Sequence, residues 1–228
     1  MQNILITGAS RGIGLGLAKA YLDSGAQVHA VVRNSDSPAL QQLQQAHPQR
    51  LQLIACDLNR EDAAARITDA LSGQTLDIAI FNAGIMGPAH QDVSQASTMD
   101  IAELFLSNAI APLRLARQLA PQLKQGGVLA FMSSQMGSVA LARSASMPLY
   151  GASKAALNSL LRSWSQADDR PDASLLALHP GWVRTDMGGS GADLDVATSA
   201  EGLLATIASQ LGTNGCLFLD YQQQPLAW

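Results

Sequence analysis

Tyr150 and Lys154 are the residues whose types and spacing most directly suggest chemistry. Four positions apart, they share one face of a helix, a single turn from each other. The chain has three tyrosines and three lysines, and no other tyrosine is followed by a lysine at this offset. An ammonium held beside a phenol favours the charged form, so the phenol pKa is expected to fall from about 10 toward ~7.5. That corresponds to ~3.4 kcal/mol of differential stabilisation. A phenol tuned in this way is a general acid and base near neutral pH. The pair alone equally describes a solvated helix face, and its weight comes from a second motif far upstream.

That motif is Thr7-Gly8-Ala9-Ser10-Arg11-Gly12-Ile13-Gly14. It follows an apolar strand pattern and opens a helical one. Glycines let a backbone approach a pyrophosphate, and a helix N-terminus offers free N–H groups with a partial positive charge. The strand–turn–helix setting turns a weak glycine pattern into a phosphate-binding expectation.

The elements that must position these residues alternate along the chain. Continuous apolar runs predict strands at 3–6, 27–32, 51–55, 76–81, 127–132, 174–178 and 215–219. Amphipathic stretches predict helices at 12–24, 37–46, 61–72, 98–124, 148–167 and 197–211. Strand runs that are apolar throughout, rather than alternating, belong to a sheet covered on both faces. The expected fold is therefore α/β: a Rossmann-type, doubly wound, seven-stranded parallel sheet with helices on both faces. No linker, repeat or low-complexity run divides the chain, so residues 1–228 are read as one domain. The stretch 186–198 has little periodicity and several glycines, and is expected to be a mobile lid.

Apolar residues make up 47% of the chain and charged residues 14%, which implies a large aliphatic core. A net charge of −4 with scattered arginines argues against nucleic acid or an anionic membrane as partner. No apolar run approaches the ~20 residues of a membrane span, and the chain opens directly on a strand pattern without a secretory leader. A cytoplasmic location is expected. Cys56 and Cys216 lie in apolar segments and read as free thiols, and no metal site is expected.

At this point the chain resembles the short-chain dehydrogenase/reductase family, in its compact single-domain branch. That family's turn reads T-G-x-x-x-G-x-G and its catalytic pair Y-x-x-x-K. Further motifs fall in the family's order: Asp57-Leu58 after the third strand, Asn82-Ala83-Gly84 after the fourth, Asn108 in the long helix, Ser133-Ser134-Gln135-Met136-Gly137 after the fifth, and Pro180-Gly181-Trp182-Val183-Arg184-Thr185 after the sixth. Phe81 stands where the family more often has the first Asn of N-N-A-G. The spacing from Ser134 to Tyr150 is longer than usual, with the excess in 140–147. Ser134 is preferred to Ser133 because Gly137 completes an S-x-x-G step. Several blocks, including the Phe218–Trp228 tail, are similar to C-factor-like and sniffer-like carbonyl reductases.

The resemblance implies an oxidoreductase that moves hydride between a nicotinamide and a carbonyl or secondary alcohol. Tyr150 would be the general acid and base, Lys154 its electrostatic partner and a ribose ligand. Ser134 would orient the carbonyl and Asn108 would hold a water near Lys154. The implied cofactor site comprises Gly8, Ser10, Arg11, Gly12, Ile13, Gly14, Arg33, Asp57, Leu58, Asn82, Ala83, Gly84, Tyr150, Lys154, Pro180, Gly181, Val183 and Thr185.

NADP(H) is expected over NAD(H). Val32 stands where an NAD enzyme of the family has an Asp to accept from the ribose, and Arg33 beside it can bind a 2′-phosphate. Met86, Met136, Met147, Trp182 and Met187 flank the motifs and suggest an apolar, permissive substrate pocket. His179 is expected to be structural. The family also implies a homodimer or homotetramer, formed through helices such as 98–124 and 148–167. The alternative reading is a dinucleotide-binding signalling or regulatory protein of the C-factor type with little turnover. An intact set of Asn108, Ser134, Tyr150 and Lys154 argues against it.

Overall fold

The computed structural model describes residues 1–228. Seven strands form one parallel sheet: β1 (Asn3–Thr7), β2 (Gln27–Val32), β3 (Leu51–Ala55), β4 (Leu76–Phe81), β5 (Leu123–Met132), β6 (Ala173–His179) and β7 (Cys216–Asp220). Their spatial order is β3-β2-β1-β4-β5-β6-β7. Helices α1 (Gly12–Asp23), α2 (Pro38–Ala46) and α7 (Val196–Ala208) cover one face; α3 (Ala63–Leu71), α5 (Ala111–Leu119) and α6 (Pro148–Trp164) cover the other. This is the Rossmann-type α/β fold the sequence predicts.

The continuous apolar strands have the cause expected of them. Ile4 and Ile6 pack toward Leu17, Leu22 and Leu203, whereas Leu5 between them packs toward the core of Ile67, Leu157 and Trp164. In the central strands nearly every residue is buried on one face or the other because both faces are covered.

Between β1 and β4 the direction of strand addition reverses. In open parallel sheets this reversal leaves a crevice at the carboxyl ends of the strands. The glycine turn leaves β1 there, and Asn82-Ala83-Gly84 leaves β4 beside it.

The predicted helix over 98–124 is interrupted. It divides into α4 (Thr98–Phe105), a π-helical turn (Leu106–Ile110), α5 and a 3-10 turn (Ala120–Gln122). Pro112 explains the break, since it has no N–H and its ring crowds the carbonyl one turn back. The chain responds by widening, and the Ala111 N–H reaches back to the Leu106 carbonyl. Asn108 sits in that wide turn. The strand predicted at 127 begins at Leu123, paired with Leu76, and the register then shifts before Ile78 meets Val128. Gly126, at φ +71°, occupies the irregularity.

Past β7 the chain turns back along it. The Leu226 N–H donates to the Phe218 carbonyl, and the Trp228 ring packs against Phe218 at 5.5 Å. Cys56 and Cys216 are both free, and no helix is long and apolar enough to cross a membrane.

Candidate active site

The glycine turn is built from below by Thr7 and from the side by Asn82. The buried Thr7 hydroxyl accepts from the backbone N–H groups of Asn82 at 3.0 Å and Ala83 at 3.3 Å. The Asn82 amide donates back to the carbonyls of Thr7 and Gly8, at 3.2 and 3.1 Å. The two loops at the crevice therefore hold each other. Gly8 has φ +69°, and a Cβ there would lie 2.9 Å from the Ala83 Cα. Both the conformation and the close approach require glycine.

No side chain caps α1, and its first turn contains no acidic residue. A helix start normally finds a side-chain acceptor for its free N–H groups. Here they are left facing the crevice beside Gly12, Ile13 and Gly14. The Ser10 carbonyl is held by the Ser37 hydroxyl at 2.8 Å, which ties the turn to the start of α2.

Arg33 is exposed at the end of β2 and enters none of the chain's ion pairs. Asp57 follows β3, with its carboxylate accepting from the Asn59 N–H at 3.0 Å, and Leu58 packs partly into the core. Arg11 departs from simple expectation: it pairs with Asp186 at 2.6 Å, both side chains largely exposed. An exposed pair of this kind is weak and exchangeable.

Across the crevice lies the segment after β6. Pro180 is buried, and Gly181 turns the chain at φ +84°. Val183 is buried, and the Thr185 methyl faces Gly12, 3.3 Å from where a Cβ would stand. The expected lid, 186–198, is tied to the turn before it by hydrogen bonds. The Arg184 N–H donates to the Leu194 carbonyl and the Leu194 N–H to the Trp182 carbonyl. The Trp182 indole donates to the Gly188 carbonyl at 2.9 Å, and the Arg184 guanidinium to the Ala192 and Asp193 carbonyls at 3.0 Å. Side chains supply the partners that periodic structure would otherwise give, and α7 already begins at Val196.

Helix α6 carries Tyr150 and Lys154 on one face, as the spacing requires. The Lys154 side chain is buried, its ammonium donating to the Met132 carbonyl at 2.8 Å and lying 5.7 Å from the centre of the Tyr150 ring. Gly84 fits between Asn108 and Lys154. A Cβ on it would lie 3.1 Å from Asn108 Oδ1 and 3.3 Å from Lys154 Nζ. The Asn82-Ala83-Gly84 motif, Asn108 and Lys154 thus meet at one point.

Asn108 is buried and fully engaged. Its Oδ1 accepts from the Ile85 N–H at 2.8 Å, and its Nδ2 donates to the Ile85 carbonyl at 2.8 Å and to Ser153 Oγ at 2.9 Å. Ser153 in turn donates to the Tyr150 carbonyl at 2.7 Å. Ser134 begins the 3-10 turn after β5, its Oγ accepting from the Met136 N–H at 3.2 Å. Its hydroxyl hydrogen remains available. Ser133 is spent differently, donating to Asn158 Oδ1 at 2.7 Å inside the core.

The electrostatics correct one expectation. Burial pushes the Tyr150 phenol up to about 12, not down, and lowers the Lys154 ammonium to about 8. Desolvation opposes both charged forms, and at 5.7 Å from the ring, committed to a carbonyl, the ammonium does not overcome it. The protein alone therefore presents a protonated phenol at pH 7. Burial also lowers His179 to about 4, leaving it neutral at physiological pH.

Ser153, Asn158 and the Met132 carbonyl support these residues without any role suggested by the sequence, and Thr7, part of the glycine motif, proves to brace it from below. Ser153, one position before Lys154, was the one within reach of helical-spacing arguments.

Known proteins bear on this arrangement. The family profile described as short chain dehydrogenase matches residues 2–194. A carbonyl reductase from Pseudomonas aeruginosa PAO1 shares 56% identity with a TM-score of 0.95, and the alignment covers all of both chains. The carbonyl reductase Sniffer of D. melanogaster aligns over all of both chains at 32% identity and TM-score 0.87. The C-signal protein of Myxococcus xanthus is 40% identical over 158 residues, 67% of this chain and 93% of that protein. The chain belongs to the short-chain dehydrogenase/reductase family, as an NAD(P)-dependent oxidoreductase of its carbonyl reductase-like kind.

Proposed function

We propose that this protein reduces a small-molecule carbonyl to an alcohol with NADPH, using Tyr150 as the proton donor. One observation carries the reading: the loop after β4 joins an uncapped helix start to a buried lysine, its Asn82 lying against Gly14 and its side-chain-free Gly84 against Lys154. The residues suit a nicotinamide dinucleotide phosphate. The free N–H groups at Gly12, Ile13 and Gly14 would take the pyrophosphate, Arg33 a 2′-phosphate, Asp57 and Leu58 the adenine, and Lys154 the nicotinamide ribose. Support also comes from relatives, since the Pseudomonas aeruginosa carbonyl reductase has been crystallised with NADP.

The bound cofactor would supply the hydride. The chain manages the proton and the geometry. A phenol held protonated by burial is ready to donate to a carbonyl oxygen as negative charge develops there. Lys154 stabilises the resulting phenolate. Ser134, with its free hydroxyl hydrogen, donates a second hydrogen bond to the same oxygen. Asn108 fixes Ile85 and, through Ser153, the helix turn that bears Tyr150. Turnover of a panel of aldehydes and ketones, followed by NADPH absorbance, tests the reading. Measurable reduction supports it; binding of NADPH with no turnover across the panel would favour the signalling alternative.

NADPH is expected over NADH. Val32 is buried and cannot accept from a ribose hydroxyl, whereas Arg33 is exposed and free of ion pairs. Arg11 must first leave Asp186, so Arg33 should dominate. One charge-assisted contact at about 1.5–3 kcal/mol amounts to roughly 10- to 100-fold. Arg33→Ala should therefore lower kcat/KM for NADPH by that factor and leave NADH unchanged. A wild-type preference for NADH would show that no phosphate is read here.

A homodimer or homotetramer is also proposed. Ile110 is exposed beside a shallow hollow between α5 and α6 that Leu113 and Leu160 help line. Sedimentation at micromolar concentration should give a dimer or tetramer, and a monomer would remove this claim.

A further inference from the structure

We propose that Gln91 is a positioning residue for Tyr150, clamping the first turn of α6 to the loop that follows β4. Gln91 lies in none of the motifs, 59 residues upstream of Tyr150. Its side chain is nonetheless buried, and both ends of its amide are directed at these two elements. Its Oε1 accepts from the Tyr150 N–H at 2.9 Å, while its Nε2 donates to the carbonyls of Met86 and Pro88, both at 2.9 Å. An N–H on one side and two carbonyls on the other permit one orientation of the amide.

The first turn of α6 needs such a partner. Its N-cap is Met147, which offers no side-chain acceptor, and Pro148 opens the helix. The Tyr150 N–H is one of the free donors at a helix start. Gln91 supplies the missing cap from outside the helix. Its backbone is at φ +53°, a left-handed conformation disfavoured for a residue with a side chain. Such conformations persist where the surroundings over-determine them.

The second backbone group of Tyr150 is held as well. Its carbonyl accepts from Ser153, which accepts from Asn108, which bonds both backbone groups of Ile85. The loop 85–91 therefore grips Tyr150 at both its N–H and its C=O, by two separate side-chain routes. Two fixed points restrain translation and rotation of that turn, and so the direction of the phenol. A misplacement of ~1 Å at a reacting group can cost about 100-fold in rate.

The inference rests on the carbonyl-reductase reading for its kinetic consequence, but not for its structural one. Gln91→Gly removes the clamp and also relieves the left-handed backbone, so this variant is expected to fold. Amide hydrogen exchange at Tyr150 should accelerate. The kcat for carbonyl reduction should fall at least tenfold, while the Kd for NADPH, set mainly at the glycine turn, stays within about twofold. Gln91→Glu keeps an acceptor for the Tyr150 N–H but cannot serve the two carbonyls when ionised. It should recover part of the lost kcat. Unchanged Tyr150 exchange and wild-type kcat in a folded Gln91→Gly protein would overturn the proposal. So would a loss of thermal stability with kcat intact below the transition. A wild-type protein that reduces no carbonyl would fail the proposed function instead, and exchange at Tyr150 would still decide the clamp.

Discussion

Tyr150→Phe is expected to lower carbonyl reduction about a thousandfold, ~4 kcal/mol, and to leave NADPH affinity nearly unchanged. The substitution keeps the ring, its half-buried packing and its place over the Lys154 ammonium. Only the transferable proton goes. Burial holds that proton on the phenol up to about pH 12 in the protein alone, so the acid form is available throughout the physiological range. Steady-state kinetics and a fluorescence titration with NADPH check the two halves separately. Retention of more than a few per cent of activity would mean that another group donates.

Lys154→Met should damage both steps, lowering turnover by about a hundredfold and weakening NADPH binding together. The same buried ammonium faces the phenol and the crevice, so one substitution removes two interactions. A pH signature separates this role from packing. Burial lowers the lysine from 10.5 to about 8, so it is charged below pH 8 and neutral above. The reductive rate of the wild-type protein should therefore hold at neutral pH and fall as pH rises through about 8. The same shift places the energetic cost of the buried charge below pH 8, and that cost disappears as pH rises toward 10.5. Lys154→Met should lack the alkaline limb in its residual rate. A profile in the variant that still falls near pH 8 would assign that limb to another group.

The fold was legible because its signals are local. Continuous apolar runs gave all seven strands, and the strand–turn–helix setting of Gly8 to Gly14 located the crevice. Helical spacing put Tyr150 and Lys154 on one face, and the glycine motif upstream gave that pair its weight. The break at Leu106–Ile110 was missed because one proline, Pro112, outweighs an otherwise helical pattern. The early start of β5 was missed because the helical pattern runs on through Lys124 and leaves only Gln125-Gly126 as a connection, and pairing with Leu76 decides otherwise. Gln91 had no signal at all: its partners are a backbone N–H and two carbonyls brought together only by the fold. The direction of the Tyr150 shift was misjudged for a related reason. Spacing reveals a neighbouring charge, but not the burial that opposes it or the Met132 carbonyl that engages it.

Hydride transfer itself can be followed with an isotope. NADPH carrying deuterium on the transferable C4 position, incubated with the wild-type protein and a reducible ketone, should give an alcohol labelled at the carbinol carbon. With Tyr150→Phe the labelled alcohol should form about a thousandfold more slowly, although the cofactor still binds. Oxidation of NADPH without deuterium in the alcohol, or an alcohol formed equally by the variant, would contradict direct transfer at this site.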